Sequence, residues 1–183
     1  QPRLARLLLA GRELGIAREA ALAAACLSER DIFDRRVGGG REPSGRDAVT
    51  DECDLTRQVV ALQGFETSRQ TEHEVGTIKK SAAHNVLRVA EQLQRVLEAS
   101  NSEKRNEISG GGPGSDCALR RALLVAFPDR LARRRMAGQA RGLMVGGRGV
   151  KLDDSSSVRK SDLFLCLDVD AVGTEARVRK ASA

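Results

Sequence analysis

At 183 residues the chain is the size of one ordinary domain or two small ones, which excludes a large multidomain enzyme. Hydrophobic residues at 40% and charged residues at 31% describe a foldable, soluble composition, and an aromatic content of 2% excludes a site built from several stacking rings. The net charge of +6 is gathered at one end, because residues 127–183 hold twelve Lys and Arg against seven acids while the rest is nearly neutral.

No run approaches the roughly 20 apolar residues of a membrane span and no signal peptide opens the chain, so no membrane partner is expected. Gln1 in the place of an initiator Met makes a piece of a longer protein the expectation. The cysteines, Cys26, Cys53, Cys117 and Cys166, form no CxxC pair and sit beside no His, which supports neither a zinc site nor a redox motif. A reducing cytoplasm is their natural setting, and Cys26 and Cys166, inside apolar stretches, read as core residues.

In chain order, Leu4, Leu7, Leu8 and Leu14 share a helical face, Gly15 punctuates, and Ile16 through Leu27 resumes as an Ala-rich helix. Asp34–Val49 turns to Gly, Arg, Pro and Ser and reads as a loop. Thr50 or Asp51 can cap a helix running to about Leu62, after which Gly64–Gly76 is polar, aperiodic and loop-like. Ile78, Ala82, Val86, Val89, Leu93 and Val96 predict the longest helix, over 78–98, with Lys80, His84, Arg88 and Arg95 on its flank. Ser100–Ser115 is a linker by composition, and Asp116 can cap a short helix that must stop near Pro128. Beyond it RGLMVGG, GVKLD, DLFLCLDVDAV and EARVRKA alternate with period 2 and predict antiparallel strands, with a hairpin at Val172–Glu175. The fold class is α+β, a mainly α-helical bundle followed by a small antiparallel β part.

The acidic string DECD at Asp51–Asp54 lacks the buried strand that would present a magnesium-binding carboxylate, and reads as a helix N-terminus, where acids complement the dipole. GGGPGSD has no Lys after its last Gly, so no GxxxxGK[ST] phosphate loop exists in the chain. GGRG at Gly146–Gly149 suits either a phosphate approach or a tight hairpin. His73 and His84 have no nucleophile beside them, and no catalytic constellation is visible. Between Arg130 and Leu152 lie Arg130, Arg133, Arg134, Arg135, Arg141, Arg148 and Lys151 without one acid, a block compatible with a polyanion partner or with a solvated surface.

Four strings, PRLARLLL at Pro2–Leu9, LSERD at Leu27–Asp31, AFPDRLARRR at Ala126–Arg135 and GGRGVKL at Gly146–Leu152, resemble in order the C-terminal half of HrpB-type DEAH-box helicases, a bacterial RNA helicase family. The resemblance implies that residues 1–126 are a helicase-associated, ratchet-like helical domain with loops near 34–50, 64–77 and 100–115, and that 127–183 is an OB-like β domain, whole or in part. It also implies that both motor domains are absent, so that ATP, Mg²⁺, hydrolysis and unwinding belong to the parent and this chain carries no cofactor. The implied partners are single-stranded RNA, or DNA, and the motor domains. On this basis Arg133, Arg134, Arg135, Arg148 and Lys151 are the first candidate phosphate contacts, with Lys80, Arg88 and Arg95 behind them. The alternative is a helical protein-interaction module with no nucleic-acid role of its own.

Overall fold

The computed structural model describes residues 1–29, 32–34, 53–73, 75–100, 115–170 and 175–183. The predicted loop at Asp34–Val49, the linker at Ser100–Ser115 and the turn at Val172–Glu175 lie almost wholly outside them. The order of elements is α+β as expected, helices first and a strand-rich region after.

Helix α1 (Pro2–Glu13) opens on Pro2, whose missing N–H is one the first turn leaves unpaired in any case. The chain reverses at Gly15, at φ 73, into α2 (Ala17–Ser28). Every residue from Ala20 to Cys26 on α2 is buried, which only small side chains allow for a helix packed against α1, α3 (Asp54–Ser68), α4 (Lys80–Ala99) and α5 (Ser115–Ala126). The closest approach is at Gly11, where an added Cβ would stand 2.2 Å from the Cβ of Ala20.

Three expectations are corrected here. Helix α3 does not stop at Leu62 but runs to Ser68, because Phe65 continues the buried series Leu55, Val59 and Leu62 and overrides Gly64. The expected loop also contains β2 (Glu72–His73) and the start of β3 (Gly76–Ile78), which with β1 (Phe33–Asp34) make an antiparallel sheet in the order β1-β3-β2. Strands of two and three residues are too short to show a period. On α4 the buried line is Ala83, Val86, Ala90 and Leu97, and Val96 is 69% exposed. The helix is rotated from the predicted stripe so that its alanines meet those of α2.

After a 3-10 turn (Pro128–Arg130) come β4 (Leu131–Arg134), β5 (Arg141–Met144), β6 (Gly149–Leu152), β7 (Leu163–Asp170) and β8 (Ala176–Ser182). They close a barrel in the order β4-β5-β6-β8-β7. All its pairs are antiparallel except β6 with β8, which is parallel. Strand β4 has no place in the predicted set, because its inward Arg134 breaks the apolar alternation.

From Phe164 to Leu167, strand β7 is buried on both faces. Phe164 and Cys166 point into the barrel, and Leu165 and Leu167 enter the helical core. The period-2 alternation predicted over this segment therefore separates two cores, rather than a core from solvent, between Phe164 and Leu167, and Cys166 is a core residue as read. An irregularity between Cys166 and Val169 shifts the register and brings Val169 against the barrel core.

The two parts are joined by a buried carboxylate. Asp54 begins α3 as expected of an acid at a helix start, yet its partners lie in the barrel. It accepts hydrogen bonds from Ser156 Oγ at 2.8 Å, Ser157 N at 2.6 Å, Ser157 Oγ at 2.8 Å and Ala181 N at 2.8 Å. Cys53 bridges to Ser182, and Lys180 Nζ donates to the carbonyl of Cys26 at 2.8 Å. Replacing Asp54 by Ala would strand several donors and is expected to cost on the order of 3 kcal/mol, measured as a lower urea midpoint.

Burial governs thiol chemistry as well. It pushes the Cys26 thiol and the Cys166 thiol up to about 12, with Lys180 and Arg130 opposing, and raises Cys53 despite its hydrogen bonds. Only Cys117 is exposed, so an aromatic disulfide reagent should titrate one thiol rapidly in the native protein and four in urea. Thiols held protonated in the native state ionise in the unfolded chain from about the ordinary 9.0. Their contribution to stability is complete below that pH and should fall as pH rises toward 12, seen as a declining urea midpoint.

Candidate nucleic-acid interface

The barrel strands sort the basic block by parity, since successive side chains of a strand point to opposite faces. On β4, Ala132 and Arg134 point inward and Arg133 outward. Arg134 is 6% exposed; its guanidinium lies 5.3 Å over the Phe164 ring and donates to the carbonyls of Ser161 at 2.9 Å, Val158 at 3.2 Å and Gln139. It closes one end of the barrel and offers nothing to a phosphate.

Arg130 is also structural. It donates to the Leu167 carbonyl at 2.7 Å and stacks on Phe127, on which Arg3 also stacks. Desolvation, with Arg3 adding to it, lowers its pKa.

The remaining cations meet on the outer face. Arg135 donates its backbone N–H to the Arg141 carbonyl, Arg141 pairs in register with Lys151, and Lys151 with Arg177. This makes a row of four cations, one just past the end of β4 and one each on β5, β6 and β8. Two residues along β4, Arg133 lies in register between Leu163 and Leu143, both exposed. Arg148 projects from the hairpin between β5 and β6, whose Gly146 and Gly147 take φ of 88 and 83, so GGRG forms a tight turn.

Two acids face the row. Arg177 is held by Asp153 at 2.6 Å, and Arg141 Nε stands 3.4 Å from Glu175 Oε2. Arg133, Arg135, Arg148 and Lys151 have no ion-pair partner among the described residues. Five of the eight candidates were thus placed by sequence in one region, and the structure brings four of them together. Arg141 and Arg177 were missed as sites; the alternation of Arg177 and Arg179 with Ala176 and Val178 was the available signal.

Lys80, Arg88 and Arg95 are exposed on α4, which packs on α2, and form a separate group. Arg88 donates to Asn85 Oδ1 at 2.8 Å, and Arg95 lies 3.8 Å from Glu91. His84 packs edge-on to Phe65 with ring centroids 5.4 Å apart, and His73 is hydrogen-bonded to the Gln70 carbonyl. Among the described residues, no cluster of His, Cys, Asp and Glu is placed to hold a metal. A pocket of about 140 Å³ beside α3 and α5 is smaller than the ~300 Å³ of ordinary ligand sites, and its Thr56 and Asp116 bond each other.

Residues 1–118 match the model of the helicase associated domain (HA2), ratchet-like. The chain belongs to this family of helicase-associated domains. The match ends within α5 and so leaves the barrel beyond it. No curated protein matches the sequence. Among solved structures the fold is similar to that of the Escherichia coli DExH-box NTPase HrpB, at TM-score 0.59 and 21% identity over 100% of this chain. The chain spans 17% of that protein's length. The resemblance carried by the four strings is borne out at the level of family and fold. No helix among the described residues is long and apolar enough to cross a membrane.

The parity of β4 has a direct check. Arg134→Ala should strand three carbonyls and lower stability by on the order of 3 kcal/mol, whereas Arg133→Ala should stay within about 0.5 kcal/mol, compared by urea unfolding.

Proposed function

We propose that this chain is an accessory region of an ATP-dependent RNA helicase, whose basic barrel face contributes single-stranded nucleic-acid binding and helps to close the channel over the motor domains. ATP and Mg²⁺ belong to those motor domains, and the setting is the bacterial cytoplasm. Five strands in a closed barrel with one parallel pair support reading residues 127–183 as OB-like.

The observation that carries the proposal is the row Arg135, Arg141, Lys151 and Arg177, with Arg133 and Arg148 beside it. A line of cations spaced by neighbouring strands tracks a phosphate backbone, releases its counterions and reads no base. With Phe164 inside the barrel and Phe127 under arginines, base stacking adds little.

A second reading, a protein-interaction surface, is favoured by the exposed Leu143 and Leu163 beside Arg133. Anisotropy with a labelled oligouridylate separates the two. About five phosphate contacts predict a slope of roughly −3.5 in log affinity against log salt. The combined variant Arg133→Ala, Arg135→Ala, Lys151→Ala should weaken binding at least about tenfold at low salt and flatten the slope by about 2. A salt-independent affinity, or binding unchanged in this variant, would sink the nucleic-acid reading in favour of the second.

A further inference from the structure

Glu175 stands beside the basic row, two residues before Arg177. It immediately precedes β8, and the parallel register of β6 with β8 sets it opposite Gly149. A Cβ built on Gly149 would lie 3.9 Å from Arg135 NH2 and 3.9 Å from Glu175 Cγ, so both side chains border the space above a residue that has none. On the other side Arg141 Nε is 3.4 Å from Glu175 Oε2. Lys151, between Arg141 and Arg177 in register, has no carboxylate of its own.

We infer that Glu175 is a built-in counter-ion of Arg141 that occupies a phosphate position over Gly149, within reach of Arg135, and that binding of a single strand exchanges its carboxylate for a phosphodiester. The inference rests on the nucleic-acid reading above and says which contact limits its affinity. A carboxylate and a phosphate present alike-charged acceptor oxygens to a guanidinium, so only one of them takes the position at a time. Arg141 and Glu175 side chains are 61% and 32% exposed, so their pair contributes little to folding and can open without unfolding the barrel. Gly149 adds no side chain of its own to the space that Arg135 and Glu175 border, so a phosphate can take the carboxylate's place there once Glu175 swings away.

The test measures binding of a labelled oligouridylate of about 12 nucleotides to the full chain across a salt series. Glu175→Gln should bind roughly threefold to tenfold more tightly at low salt, and its slope should steepen by about 0.7, one further phosphate on a single strand. Asp154→Asn makes the same charge change at an exposed position outside the row and should give a smaller gain with no change of slope. In an Arg141→Gln background the effect of Glu175→Gln should shrink, because the arginine it frees is gone. Melting temperatures should agree among all of them.

A salt-sensitive wild type with no tighter binding in Glu175→Gln would overturn the exchange and leave the nucleic-acid reading standing. A gain matched by Asp154→Asn, or undiminished without Arg141, would also overturn it as a general charge effect. Absence of binding by wild type and Glu175→Gln alike would overturn both readings.

Discussion

A carboxylate taken out of water is tolerated only where donors replace its hydration, and at Asp54 those donors come from the barrel. Ser156 and Ser157 lie on the connection between β6 and β7, and Ala181 lies on β8, so one side chain ties the first turn of α3 to two separate stretches of barrel. The surroundings repeat the arrangement, with Cys53 bridged to Ser182 and Arg120 donating to the Ala183 carbonyl at 3.0 Å. The helical part and the barrel therefore share a polar seam that cannot be opened without stranding a buried charge. The orientation of the barrel face follows from that seam.

The apolar half of the same joint is β7. Its odd residues Leu165 and Leu167 pack among the helices and its even residues Phe164 and Cys166 fill the barrel, so a single strand belongs to two cores. A strand used in this way has no solvated side from Phe164 to Leu167, and the barrel is left with its solvated surface on β4, β5, β6 and the start of β8. The cations collect there because the other surface is taken by the helices. Gly142 is part of the same packing: an added Cβ would stand 2.7 Å from Phe164 Cζ, so the ring fills the barrel only while β5 carries no side chain at that point.

The helices were legible because their signals are local and long. Pro2, Gly15, the Ala-rich run and the stop before Pro128 bounded α1, α2 and α5 closely. Other features were set by partners distant in the chain. Phe65 holds the last turns of α3 only because a core lies beneath it, and the rotation of α4 depends on the alanines of α2. The sheet of β1, β3 and β2 joins segments some forty residues apart with too few residues each to show alternation. In the acidic string the helix start was visible, but nothing local announced that Asp54 would reach across to Ser156 and Ala181.

For the candidate site, composition located the region and could not apportion it. Arg133, Arg134 and Arg135 are identical to any count of charge, yet strand parity sends the middle one inside and its neighbours out. Arg134 and Arg130 have their charge taken up by carbonyls and rings, and Asp153 and Glu175, from outside the acid-free block, return to it in space. The field of the face is thus smaller than the seven cations of the block suggest, and it is ordered along one line across the strands. An isolated anion meets one or two cations there, and two of the row already face an acid, whereas a chain of phosphates would meet several cations in succession. Under the function proposed above, a surface arranged in that way favours a continuous polyanion over a small one.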